Sequence, residues 1–159
     1  MTVQEFVEEY KRINDDDKVI LIGKTINTDY IPYTIKVADC KNIVNNTSYT
    51  NTEPNMFKIN SLARKMLYEL TLVNRYTELE IDFTNAIEIY DLLDECGALR
   101  HVLFLISERE TNKYKELLDM TISDLKENER SMIGYLDSKF TALKIFGEEF
   151  NKVIEEVSV

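Results

Sequence analysis

The chain is short of the residues that break helices. It has 4 Gly and 2 Pro in 159 residues, too few for a fold built on many tight turns, so long helices are expected. Cysteine is scarce. Cys40 and Cys96 lie far apart and match no ligand spacing, which excludes a disulfide framework and a thiolate metal site and leaves reduced, partly buried thiols. There is one histidine, His101, so no histidine pair can hold a metal or relay a proton, and a surface or packed role is expected for it. The longest apolar run is Val19 to Ile22, far too short to span a bilayer. Met1-Thr2-Val3-Gln4-Glu5 has neither a basic nor an apolar stretch, so no secretory signal is expected. Without one, the acceptor-like pattern at Asn45-Asn46-Thr47-Ser48 implies no glycosylation. Basic charge is also short, with 19 Lys and Arg against 29 Asp and Glu for a net charge of -10. Such a surface repels phosphate backbones and anionic lipid, which argues against a nucleic-acid or membrane partner.

What is present is ordinary globular material: 44% hydrophobic and 30% charged residues, too apolar for a disordered chain. One domain of this length buries about 68–70% of its unfolded surface and needs no staple. Thr2 and Glu5 have the spacing of a capping box. Val3, Phe6, Val7, Tyr10 and Ile13 then recur at helical spacing and form one apolar face. Asn14-Asp15-Asp16-Asp17 ends that helix and is placed to cap the next. Lys18 to Ile26 reads either as a buried strand or as a short core helix. Asn27 to Tyr33 reads as a loop, because Ile31 precedes Pro32 and Pro32 suits the first turn of a helix. That helix would bury Tyr33, Val37, Cys40 and Val44.

Asn45 to Asn55 is the least apolar stretch, a surface loop or a small hairpin with Tyr49 and Phe57 on its arms. A helix from Asn60 or Ser61 is expected to carry Leu62, Met66, Leu70 and Val73 as its seam, with Ala63 and Leu67 beside it. Leu79 to Phe83 alternates, as a short strand or an extended exit would. Thr84 is placed to cap a helix bearing Ala86, Ile87, Tyr90 and Leu93, closed by Gly97. A short helix with Leu99, Val102, Leu103 and Ile106 follows.

Ser107 and Glu110 have the spacing of a second capping box. Beyond them Leu118, Ile122, Leu125, Met132, Leu136, Leu143, Phe146, Phe150, Val153 and Val157 recur at spacings of 3, 4 or 7 residues. A rod of roughly 50 residues would reach about 75 Å, longer than a compact domain of this size, so it must fold back or pack on another chain. Gly134 and Gly147 mark possible kinks. The expected fold class is mainly α: a multi-helix bundle with a long C-terminal helix or helical hairpin and one small β-hairpin as an option. Residues 1–106 are expected to form a helical body with a polar loop near 45–59. Residues 107–159 form the long helical segment of the same folded unit. Its apolar stripe is read as a protein-binding surface, with Leu118, Ile122, Leu125, Met132, Leu136, Leu143, Phe146, Phe150 and Val153 as the contact residues.

Chemistry is hard to find. Gly23-Lys24-Thr25 tempts one toward a phosphate loop, but the required earlier glycine position holds Lys18. Asp15-Asp16-Asp17 lacks the spacing and glycine of a calcium loop. Glu78, Glu80 and Asp82 read as a solvated edge, and Asp91, Asp94 and Glu95 as a solvent-facing helix surface. Ser107 has no nucleophile elbow around it. Tyr30 and Tyr33 flank Ile31-Pro32 and either pack under the loop or anchor a partner. No catalytic, cofactor or metal residue is assigned, and no enzymatic role is expected.

The segments Thr2-Val3-Gln4-Glu5-Phe6-Val7-Glu8-Glu9-Tyr10-Lys11, Tyr30-Ile31-Pro32-Tyr33, Tyr90-Asp91-Leu92-Leu93, Ile106-Ser107-Glu108-Arg109-Glu110 and Asp124-Leu125-Lys126-Glu127-Asn128-Glu129-Arg130 resemble small proteins of tailed phages and prophages of AT-rich Firmicutes and gut bacteria. The resemblance spans most of the chain and carries no functional residues. It implies a place in virion assembly, as a tail or neck component or an assembly chaperone, in the host cytoplasm or the virion. The partners it implies are further copies of the chain or other virion components. The alternative expectation, from net charge, is an acidic inhibitor of a host defence or nucleic-acid-binding protein.

Overall fold

The computed structural model describes the backbone of residues 1–51 and 56–128, and the side chains there except at 49–51 and 56–57. The chain forms two compact units, Met1–Thr121 and Ile122–Val159. The described part of the second unit, residues 122–128, is helical. The fold is mainly α. The first unit contains α1 (Val3–Arg12), α2 (Asp15–Thr25), α3 (Tyr33–Thr47), α4 (Ser61–Tyr76), α5 (Ala86–Glu95) and α6 (Ala98–Leu105), and residues 108–121, called α7 below, are helical too. A single antiparallel hairpin joins α3 to α4: β1 (Ser48–Asn51) pairs with β2 (Met56–Ile59), Tyr49 opposite Lys58 and Thr50 opposite Phe57.

Local chemistry explains most of these elements. The Thr2 hydroxyl accepts from the Glu5 amide at 3.3 Å while the Glu5 carboxylate accepts from the Thr2 amide at 2.8 Å. Two otherwise unpaired donors at the start of α1 are thereby satisfied. The Thr2 amide, and then the Thr2 hydroxyl beside it, hold the Glu5 carboxyl below its ordinary range. Val3, Phe6, Val7 and Tyr10 of α1 are buried, as their spacing predicts. They join Ile22, Leu70, Val73, Leu93, Leu99 and Val102 in one core; each such large apolar side chain contributes about 1.5–3 kcal/mol by leaving water. Lys18 to Thr25 turns out to be helical, with Asn14 at the N-cap position. The Asn60 side chain accepts from the Ala63 amide at 3.1 Å and starts α4. Gly97 adopts φ 76, a left-handed conformation open to glycine at little cost. It closes α5 and lets α6 begin at the next residue.

Several faces differ from expectation. In α3 the buried residues are Lys36, Asp39, Cys40, Ile43, Val44 and Thr47, with Tyr33 exposed and Val37 only half-buried. The helix is rotated because Lys36 and Asp39 have buried partners elsewhere. Leu62 of α4 is 83% exposed and Ile87 of α5 is exposed too. The buried faces there centre on Leu70, Val73 and Tyr76, and on Ala86, Ile89 and Leu93. Thr84 is not a cap: the Asp82 carboxylate accepts from the Thr84 amide at 2.9 Å and starts a 3₁₀ turn, Phe83–Asn85. Of the Leu79–Phe83 stretch, Leu79 to Asp82 is an extended exit with one parallel bridge, Thr2 to Glu80, and Phe83 already belongs to the 3₁₀ turn.

Candidate protein-binding surface

The groups most capable of chemistry are consumed inside the first unit. Glu110 is buried, and its Oε2 accepts from the Ile31 amide at 3.1 Å and the Tyr76 hydroxyl at 2.6 Å. Lys36 Nζ, equally buried, lies 2.7 Å from the same oxygen and 4.9 Å from the centre of the Tyr30 ring. Glu110 is therefore no capping-box residue. Its carboxylate turns inward, because a buried cation and two fixed donors outbid one exposed amide. Burial pushes the Glu110 carboxyl up, but Lys36, Tyr76 and the Ile31 amide together outweigh it and leave it below the ordinary range. Burial, and then the adjoining carboxylate, push the Tyr76 phenol far up.

A second buried carboxylate lies beside the first. Asp39 accepts from Arg75 through two bonds of 2.9 and 2.7 Å, a bidentate geometry only arginine provides, and from the Tyr114 hydroxyl at 2.9 Å. The Tyr76 and Tyr114 rings meet edge to face at 6.4 Å. Tyr68 donates to the Thr111 carbonyl at 3.2 Å. Cys40 is buried beside Tyr114, and burial pushes its thiol up to about 12, so it is unreactive at neutral pH. These contacts lash α7 to α3, α4 and the 27–32 loop. Among the described residues no buried side-chain polar atom lacks a partner, and no group of three metal-ligating side chains converges.

Sequence reasoning missed this network because both of its carboxylates find partners more than 30 residues away. Of the contact residues expected from the sequence, three lie among the described residues. Leu118 and Ile122 are buried and Leu125 is half-buried. Met132, Leu136, Leu143, Phe146, Phe150 and Val153 lie outside the described residues. Among the described residues no helix is long and apolar enough to cross a membrane. Tyr30 and Tyr33 do not pack under the loop: both are exposed, since the space beneath is filled by Ile31 and the Lys36–Glu110 pair. His101 sits at the surface of α6, and its Nδ1 is hydrogen-bonded with the Tyr10 hydroxyl.

Among the exposed apolar side chains, which also include Tyr30, Tyr33, Ile35, Leu62, Phe83, Ile87 and Met120, four lie on the neighbouring helices α2 and α6. Phe104 is 84% exposed, Val19 58% and Ile20 57%, with Leu105 at the edge. Val19, Ile22, Arg100, His101, Phe104 and Leu105 line a shallow hollow of about 390 Å³. The cause is geometric. Four consecutive apolar residues on a helix span about 300° of its circumference, so when Leu21 and Ile22 enter the core, Val19 and Ile20 point out. No family model, curated protein or solved structure matches the chain. Single exposed apolar residues such as Leu62 are normal, whereas a cluster on adjoining helices is a candidate contact site. A larger hollow, about 990 Å³, lies between α4 and α5. Its rim carries Glu88, Asp91, Asp94 and Glu95 from the exposed side of α5.

Proposed function

We propose that this is a non-enzymatic phage protein that works by protein–protein contact, in the structure or assembly of the virion tail or neck. The observation that carries the contact reading is the exposed group of Val19, Phe104 and Leu105 around one hollow, with Ile20 exposed next to Val19 on α2. Each large apolar side chain left in water forgoes about 1.5–3 kcal/mol that a partner surface would recover. The phage assignment rests on the sequence resemblance. The protein is expected in the host cytoplasm or the particle, and it takes protein partners, not nucleic acid or lipid.

A second reading, an acidic inhibitor of a basic host protein, draws on α5. Its exposed side carries Glu88, Asp91, Asp94 and Glu95, and α5 contains no Lys or Arg. Four carboxylates on one face is the clustering that such mimicry needs.

One experiment separates the two. Virions purified from an induced lysogen are analysed by mass spectrometry, and the tagged chain is used for capture at about 50 and 500 mM salt. The first reading predicts recovery with virion or assembly proteins through a contact that survives high salt, since burial of apolar surface is not screened. The second predicts a basic host protein released at high salt. Absence from particles and assembly intermediates, with no salt-resistant partner, contradicts the first.

A further inference from the structure

We propose that α2 packs antiparallel on α2 of a second copy, across a two-fold axis at Ile20. This rests on the contact reading above and names the partner of that face. Asp16, Ile20 and Lys24 stand four residues apart and so share one row of the helix surface, with Val19 and Gly23 in the adjoining row. All five are exposed. The row is self-complementary: an anion lies one turn before Ile20 and a cation one turn after it. A two-fold contact requires each surface patch to match itself. Antiparallel pairing about Ile20 sets Asp16 of one copy opposite Lys24 of the other, twice, around an apolar centre. Within the chain these charges are uncommitted. Asp15 takes Lys18 at 2.7 Å, while Asp16 and Lys24 make no ion pair among the described residues.

Gly23 fits the same arrangement. A glycine inside a helix weakens it, and a Cβ placed at Gly23 meets nothing within 4 Å in its own chain, so no internal packing calls for it. In the pair, the missing side chain leaves room for Val19 of the other copy and lets the helices approach closely. Two helices alone make a small contact. Phe104 and Leu105, which share a hollow with Val19, add apolar surface at its edge.

The test is a charge swap on the full chain, read by sedimentation velocity over a range of concentrations at low salt. Wild type is expected to show a monomer–dimer equilibrium. Asp16→Lys and Lys24→Asp should each weaken it by about tenfold or more, because each puts two like-charged pairs into the contact. An equimolar mixture of the two variants should restore association, since one then offers two cations and the other two carboxylates. Ile20→Cys should cross-link to itself under mild oxidation well above a Leu62→Cys control. The proposal is overturned by a wild type that stays monomeric, by a mixture that associates no better than its components, or by equal cross-linking at the two positions. A monomeric chain that still binds a virion protein through Phe104 would sink the dimer and leave the contact reading standing. A dimer with the predicted swap behaviour but no virion partner would uphold the dimer and the contact reading and overturn only the virion assignment.

Discussion

Glu110→Gln is expected to destabilise the protein by about 3–5 kcal/mol, because it leaves the Lys36 ammonium buried without a counter-charge. Total stabilities of domains this size run to about 5–15 kcal/mol, so the variant should lose roughly 10 °C in Tm. Lys36→Met should cost a similar amount from the other side of the pair. The double variant Lys36→Met with Glu110→Leu should recover most of the loss, since an apolar pair of like volume need not be desolvated. Urea unfolding followed by circular dichroism reads all three. Glu8→Gln is the control: Glu8 pairs with Arg12 at 3.2 Å on the exposed surface of α1, where water and salt screen the pair and little change is expected. If Glu110→Gln behaves like Glu8→Gln, the buried pair does not hold α7 as described.

The same pair sets the acid limit of the fold. The folded Glu110 carboxyl lies below its ordinary 4.5, so the unfolded chain takes up its proton first as pH falls. The contribution of Glu110 is present above about pH 4.5 and is lost as pH falls through the folded value. Glu110→Gln should therefore flatten the dependence of stability on pH below that point; on the alkaline side, set by Tyr76 and Tyr114, it should lessen only the Tyr76 part. Their phenols are pushed up, first by burial and then by the carboxylates they donate to. Their contribution is present below the ordinary phenol value of 10.0 and is lost at higher pH.

The second large effect concerns the surface. Val19→Ser combined with Phe104→Ser is expected to weaken binding to the chain's protein partner by 2 kcal/mol or more, about thirtyfold, if these are the central anchors. Both side chains face water, so folding stability should change by no more than about 0.5 kcal/mol. Leu62→Ser removes an equally exposed side chain that stands alone on α4, and it should leave binding unchanged. Titration calorimetry with the captured partner checks the affinities, and thermal unfolding checks the fold.

Where structure follows from neighbours in sequence, it was legible in advance. The Thr2–Glu5 box, the α1 face, the Asn60 start of α4 and the Gly97 stop each depend on residues within four positions. Ser107 and Glu110 show how such a signal fails: the spacing is that of a capping box, but Lys36 and Tyr76 compete for the carboxylate from 74 and 34 residues away and win. Lys36 and Asp39 were invisible for the same reason, because hydrophobic periodicity turns charged residues outward. A weak clue was present, since Lys36 and Asp39 continue the row of Cys40, Ile43 and Thr47 on α3. The candidate surface was half legible. The run Val19 to Ile22 stood out, but one run could not say which two residues would enter the core. That choice depends on the packing of α2 against α6. Phe104 carried no signal at all, since its neighbours Leu103 and Leu105 are as apolar as it is.

Photocrosslinking from position 104 tests the central claim most directly. A benzophenone amino acid replaces Phe104, or Glu9 as a control, in cells that make the protein and its partners, and the adducts are mapped by mass spectrometry. The account predicts defined protein adducts from position 104, to α2 of a second copy or to one virion component, and none from position 9. A position 104 that stays as unlinked as position 9 would show that this apolar face meets only water, and would contradict the reading.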